Sequence, residues 1–128
     1  MRTIGASLVK VASGEVEIVM RFDASLTQQH GFIHGGVIGM ALDSACGFAS
    51  LTLMPAEAGI LTIEYKLNLL APGRGESFRF VGRVRKAGRT ITLAEGEALA
   101  LDASGQRRLI ATMTATEMTI MGREDVRS

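Results

Sequence analysis

Gln28-Gln29-His30-Gly31-Phe32-Ile33-His34-Gly35-Gly36-Val37-Ile38-Gly39-Met40-Ala41-Leu42-Asp43-Ser44-Ala45-Cys46-Gly47-Phe48-Ala49-Ser50 is the stretch on which the reading of this chain turns. It opens as a polar, glycine-bearing loop and becomes a long apolar run with one acid, Asp43, in its middle. From Val37 no other charge interrupts the run, and no proline occurs before Pro55. The pattern predicts a largely buried helix of about four turns starting near Gly35-Gly36. It is over by about Met54-Pro55, because proline lacks the amide donor and disfavours helix at the residue before it. A carboxylate in such a helix is costly unless it is paired or hydrogen-bonded, so Asp43 has either a structural or a chemical reason to be there.

Working outward, Leu8-Val9-Lys10-Val11 and Glu15 to Phe22 flank Ser13-Gly14. Val16, Ile18, Met20 and Phe22 alternate with mostly polar residues, as in a hairpin with one wet face. Asp23 to Gly31 is the loop into the helix. Beyond Pro55 the period drops to two. Leu61, Ile63, Tyr65, Leu67 and Leu69 alternate with Thr62, Glu64, Lys66 and Asn68, and the turn Ala71-Pro72-Gly73-Arg74-Gly75 follows. Phe78, Phe80 and Val84 then alternate with Arg79, Arg83 and Arg85. Lys86 to Arg89 turns into a strand from Thr90 to Leu101, and a last strand from about Leu109 to Ile120 places Thr112, Thr114 and Thr116 on one face. Gly122 to Ser128 reads as a charged tail.

This order, two strands, one helix and four strands, predicts an α+β fold: one long buried helix on a curved antiparallel sheet of five to six strands, in a single domain over residues 1–128. At 128 residues the chain is long enough for one core. Charged residues make up 21% and apolar ones 47%, which excludes a disordered class. A formal net charge of +1 argues against nucleic-acid binding driven by bulk charge. The single cysteine, Cys46, excludes an intrachain disulfide and a cysteine zinc cage. With no secretory apolar segment or membrane span in view, a cytoplasmic protein is expected.

Two features point to chemistry. Gly35-Gly36 at a helix start offers free amides and the positive end of the helix dipole. That suits a carbonyl oxygen, although two glycines there also serve as a plain turn. Asp43 follows eight positions later, roughly 12 Å along a straight helix at about 1.5 Å per residue. Both groups cannot serve one reacting carbon within one chain. A two-fold homodimer with antiparallel helices would bring Asp43 of one copy to the Gly35 end of the other, giving two sites per dimer. The helix is also apolar around more of its surface than one sheet face covers, which again implies a second copy. The alternative is a buried Asp43 bonded to backbone or to Ser44. His34 is expected to shape the helix start and His30 to lie in a surface loop; their spacing does not suit a metal site, so none is expected. Cys46 is expected to be a buried apolar thiol. Arg83, Arg85, Lys86 and Arg89 form either a solvated face or a phosphate cradle; they lack the aromatic interleaving of a nucleic-acid site.

Gln28, Gly31, His34-Gly35-Gly36, Asp43 and Gly47 match the pattern [NQ]-x-x-G-x-x-H-G-G-x-x-x-x-x-x-D, which resembles the PaaI-like branch of the hotdog-fold acyl-CoA thioesterases. Similarity continues through Thr62-x-Glu64-Tyr65-Lys66-Leu67-x-x-x-x-Ala71-Pro72 and the Lys86-Ala87-Gly88-Arg89 turn. The resemblance implies the hotdog fold and hydrolysis of an acyl- or aryl-acyl-CoA to free acid and coenzyme A. Asp43 then resembles the catalytic carboxylate, as nucleophile or as base on a water, and Gly35 the backbone donor to the thioester carbonyl. Gln28 stands where many PaaI-like enzymes have Asn, and a Gln here accompanies Glu at the acid position in related hydroxybenzoyl-CoA thioesterases, so two patterns are mixed. Thr62 matches a Ser or Thr that holds the water or the carboxylate, with an ordinary outward strand Thr as the alternative. His34 and Gly36 fall on the substrate side of the motif, and Lys86 and Arg89 near the coenzyme A phosphates. No cofactor is implied, coenzyme A being part of the substrate. The partners implied are acyl-CoA and a second copy, with a homotetramer expected; no membrane or nucleic acid is.

Two other functions compete. A non-catalytic acyl-CoA-binding hotdog module would need no acid, and a regulator of that kind usually carries an appended DNA-binding segment. A hotdog hydratase or dehydratase needs a His and an acid poised at the acyl chain. The spacing of His34 and Asp43 fits the thioesterase pattern better, although fold alone does not decide chemistry.

Overall fold

The computed structural model describes residues 2–121; the charged tail from Gly122 to Ser128 lies outside them. The chain opens with the hairpin β1 (Ala6–Ala12) and β2 (Glu15–Arg21). Gly14 sits at its turn with φ +75°, a backbone region that favours glycine. Helix α1 (Gly35–Leu51) follows, then β3 (Gly59–Leu69), β4 (Ser77–Ala87), β5 (Ile91–Leu101) and β6 (Arg107–Ile120). All six strands form one antiparallel sheet in the order β1-β2-β4-β5-β6-β3.

That order differs from a simple run of hairpins. The turn expected at Ala71 to Gly75 does not pair β3 with β4; it carries the chain over the ends of β6 and β5. The amides of Leu70 and Ala71 donate to the carbonyl of Ile110 at 2.8 and 3.2 Å, and the Glu76 amide donates to that of Leu101 at 2.8 Å. The physical reason lies in β4 itself. Its inward residues Phe78 and Phe80 are fully buried, so it belongs at the centre of the sheet beside Val16, Ile18 and Met20 of β2, and β3 is left at the edge. Each such side chain contributes about 1.5–3 kcal/mol on burial.

Helix α1 lies on this inner face through Ile38, Ala41, Leu42, Ala45, Cys46 and Ala49, all buried. Two glycines set how close it comes. Gly82 of β4 and Gly96 of β5 are cross-strand partners. A Cβ on Gly82 would stand 2.4 Å from the backbone C and O of Ala45, and one on Gly96 would stand 3.1 Å from Cys46 Sγ and Leu42 Cδ2. The helix therefore rests directly on sheet backbone at this point.

The outer face is polar, with Thr112, Thr114 and Thr116 on it while Ala111, Met113 and Ala115 point inward. Arg83 pairs with Glu15 at 2.9 Å and Glu97 at 3.0 Å, and Arg85 with Glu95 at 2.6 Å. Exposed pairs of this kind contribute little to stability. No helix among the described residues is long and apolar enough to cross a membrane.

Candidate active site

The loop before α1 is built by Gln28. Its Oε1 accepts from the amides of His30 at 2.6 Å and Phe32 at 3.2 Å, which leaves Nε2 as its remaining donor. Gly31, at φ +83°, closes the turn, and His30 is exposed on it. His34 is the helix N-cap in extended conformation: its Nδ1 accepts from the Gly36 amide at 2.9 Å, and its carbonyl accepts from Val37 and Ile38. The Gly36 donor is thus consumed, while the Gly35 amide has no acceptor among the described residues. Of the two glycines, Gly35 is the one with a free donor at the positive end of the helix. Gln28, Phe32, Gly35, Ile38, Leu69 and Leu70 line a groove of about 310 Å³ at this end.

From there one stripe of the helix runs along β3 and β6. A Cβ on Gly35 would stand 2.8 Å from Leu69 Cδ1, and one on Gly39 would stand 3.2 Å from Leu67 Cδ2 and 3.7 Å from the Tyr65 hydroxyl. Next on the stripe is Asp43, whose Oδ1 lies 2.8 Å from Thr62 Oγ1. Gly47 follows, where a Cβ would stand 4.0 Å from Glu117 Oε1. The four positions are four residues apart, one face of an α-helix.

Strict alternation along β3 would put Thr62 opposite Tyr65, Leu67 and Leu69. The strand instead carries a bulge between Thr62 and Glu64, and Thr62 pairs with Glu117 while Tyr65 pairs with Ala115. The extra residue turns Thr62 to the helix side. Thr62 Oγ1 is 2.8 Å from Glu117 Oε1 as well as from Asp43 Oδ1. Sequence reasoning did not single out Glu117. The signal was present: Ala111, Met113 and Ala115 define the inward face of β6, and Glu117 is the next residue of that alternation. It is fully buried, and its Oε2 has no hydrogen-bond partner among the described residues. Burial is the first cause that raises its pKa, and the Asp43 charge raises it further against the lowering effect of Thr62. Cys46 is buried nearby, and its thiol is pushed up to about 12 by burial, then by the charges of Glu117 and Asp43.

Within one protomer the structure joins Asp43 to Thr62, and Gln28 to Gly35, but not the two pairs to each other. Lys86 and Arg89 flank the β4–β5 turn. Cross-strand pairs Ala87–Thr92, Thr92–Glu117 and Glu117–Thr62 place that turn on the same row of the sheet as Thr62, three strands away. Arg83 and Arg85 are held by glutamates, whereas Lys86 and Arg89 take part in no ion pair among the described residues.

One helix cradled by a curved antiparallel sheet is a fold shared by proteins of known class. The thioesterase superfamily model matches residues 30–103, and the chain belongs to that family. A crystal structure of a thioesterase family protein from Silicibacter pomeroyi is 49% identical and covers 95% of this chain and 89% of its own, with a TM-score of 0.93. The PaaI protein of the Escherichia coli phenylacetic acid degradation operon is 17% identical with a TM-score of 0.82, covering 94% of this chain and 83% of its own, which establishes the shared hotdog fold. A protein from Saccharolobus solfataricus named as a candidate esterase is 32% identical over 72% of this chain. The match spans 61% of that relative's length.

Proposed function

We propose that the protein is an acyl-CoA thioesterase, hydrolysing the thioester of an acyl- or aryl-acyl-CoA to the free acid and coenzyme A at sites shared between two subunits. The observation that carries this reading is Asp43 itself: a partly buried carboxylate on an apolar helix, held by the Thr62 hydroxyl at 2.8 Å and paired with no cation among the described residues. Such a group suits attack on an activated carbonyl, either directly or by taking a proton from water. The Gly35 amide is the donor for the carbonyl oxygen as it gains charge, and loss of such a donor is worth on the order of 3 kcal/mol of barrier. As the tetrahedral carbon collapses, the C–S bond breaks and the sulfur leaves as coenzyme A.

The second subunit follows from distance and surface. Gly35 and Asp43 are roughly 12 Å apart on one helix at about 1.5 Å per residue. At the edge strand β3, Leu61, Ile63, Tyr65 and Leu69 are 46–56% exposed, and Met40 of the helix is 45% exposed. A homodimer formed at this edge aligns two helices antiparallel and sets Asp43 of one protomer against Gly35 and Gln28 of the other. A homotetramer is the further assembly. His34 and Gly36 shape the helix start at the thioester, and Lys86 and Arg89 meet the coenzyme A phosphates.

The test is thiol release from aryl and straight-chain acyl-CoAs by the wild type, Asp43→Asn and Asp43→Ala. Loss of several orders of magnitude in folded dimeric variants is expected. Wild-type binding of acyl-CoA without thiol release would instead establish a binding module, and full activity in the variants would make Asp43 structural.

A further inference from the structure

Thr62 has one hydroxyl hydrogen and two carboxyl oxygens at 2.8 Å, Asp43 Oδ1 and Glu117 Oε1. It donates to one of them, so the other contact is a hydrogen bond only if that carboxyl brings its own proton. Without such a proton, one short oxygen–oxygen contact is repulsive. Glu117 is the group placed to carry it. It is fully buried on β6 and its second oxygen is unpartnered among the described residues, whereas Asp43 is only partly buried. The groups facing Glu117 supply no cation: Asp43 and the Cys46 thiol on α1, Thr62 on β3 and the cross-strand Thr92 on β5. No ion pair among the described residues includes it.

From this geometry we infer that Glu117 is a neutral carboxylic acid that donates to Thr62, so that Thr62 must donate to Asp43 and the two carboxyls share one proton through the hydroxyl. Glu117 is a positioning residue. It fixes the direction of the Thr62 hydrogen, which orients Asp43 through Oδ1 and leaves Oδ2 for the reacting atoms. When Asp43 takes a proton from the attacking water on Oδ2, Glu117 keeps its own proton and Thr62 still donates to Oδ1. The trio thus gains one proton, which Asp43 returns to the leaving sulfur as the C–S bond breaks. The burial that raises the Glu117 pKa acts in the same direction. Glu117 lies beyond residues 30–103, the part of the chain that matches the family model.

The inference rests on Asp43 being the catalytic carboxylate, and its test separates the two ideas. Glu117→Gln places a permanent amide donor where the acid stands. Infrared difference spectra of wild type against Glu117→Gln are expected to show the band of a protonated carboxylic acid at neutral pH, lost in the variant. Unfolding free energies supply a second readout independent of turnover. A group whose folded pKa is raised stabilises below its unfolded pKa, and that stability is lost as pH rises toward the folded value. Wild type should therefore lose stability relative to Glu117→Gln as pH climbs above the ordinary glutamate range. In turnover, Glu117→Gln should retain the Asp43-dependent rate at neutral pH within tenfold and lack the alkaline decline that ionisation of Glu117 imposes on wild type. Thr62→Val should lower kcat more than it raises KM, with Thr62→Ser restoring it. Absence of the protonated-acid band, with a pH-independent stability difference, overturns the inference. Full activity of Asp43→Asn with the band present overturns the catalytic reading and leaves the shared proton standing.

Discussion

Replacing Gly82 with alanine tests the closest contact in the fold. The new Cβ would lie 2.4 Å from Ala45 C and O and 2.7 Å from Cys46 N. Non-bonded carbons rest at about 3.5–4.0 Å, so the helix has to lift by about 1 Å or the sheet has to yield. Overpacking of this kind typically costs about 1–3 kcal/mol. The contacted atoms are helix backbone and no rotamer relieves them, so we expect the top of that range, about 3 kcal/mol. For a domain of this size that corresponds to a Tm lower by roughly 10 °C. Gly96→Ala is the internal control. Its Cβ meets side-chain atoms at 3.1 Å, Cys46 Sγ and Leu42 Cδ2, which can shift, and about 1 kcal/mol is expected. The assay is urea unfolding at one fixed protomer concentration, because the proposed dimerisation would couple stability to concentration. Turnover should fall in Gly82→Ala even below its melting range. In the proposed mechanism Asp43, two residues from Ala45, is the catalytic group, and a displacement of about 1 Å there costs on the order of 100-fold. A Gly82→Ala protein within 0.5 kcal/mol of wild type, on the scale of an ordinary surface change, or one more stable than Gly96→Ala, would refute the packing argument.

Other outcomes follow from the same structure. Cys46, buried with its thiol raised to about 12, should be silent to thiol reagents at pH 8 in the folded protein and react fully once unfolded; prompt labelling of the native state contradicts that placement. Ile63→Lys on the exposed face of the edge strand should convert the proposed dimer to monomer in sedimentation and abolish turnover, since in that proposal Asp43 and Gly35 then lack each other. Charge reversal at Lys86 and Arg89 together should raise KM for acyl-CoA about tenfold or more at low salt with little change in kcat, and the effect should shrink as salt rises. An unchanged KM would remove these residues from phosphate binding.

The helix and strands were legible because each carries one clear period. The Val37 to Ser50 run has no competing signal, and Phe78 and Phe80 alternate with arginines that now lie on the wet face. What periodicity conceals is pairing over distance. Ala71 to Gly75 has the composition of a hairpin turn and is instead a crossover, because the demand of β4 for a central place acts from outside that segment. Asp43 could be named from its cost in an apolar helix. Thr62 could be reached only by resemblance, since a bulge reverses the side it faces. Glu117 went unnoticed among alternating threonines, although its position on the alanine face of β6 marks it as buried. The Gly82–Gly96 pair was invisible for another reason: a glycine needed for close approach looks in sequence like any other glycine in a strand.

The place of β3 at the far edge bears on how the molecule is made. Pairing within β1–β2 and along β4–β5–β6 is local and fast, but Thr62 meets Glu117 across 55 residues of chain. Long-range closures of this kind are slow, because the loop entropy is lost before the contacts form. During synthesis the helix and β3 leave the ribosome well before β6, so for that interval Thr62 has no Glu117 to meet and the side of β3 that β6 covers is unpaired. Formation of the carboxyl–hydroxyl–carboxyl trio is thus a late folding event, and any nascent or truncated chain lacking β6 holds the family motif while being unable to assemble the site.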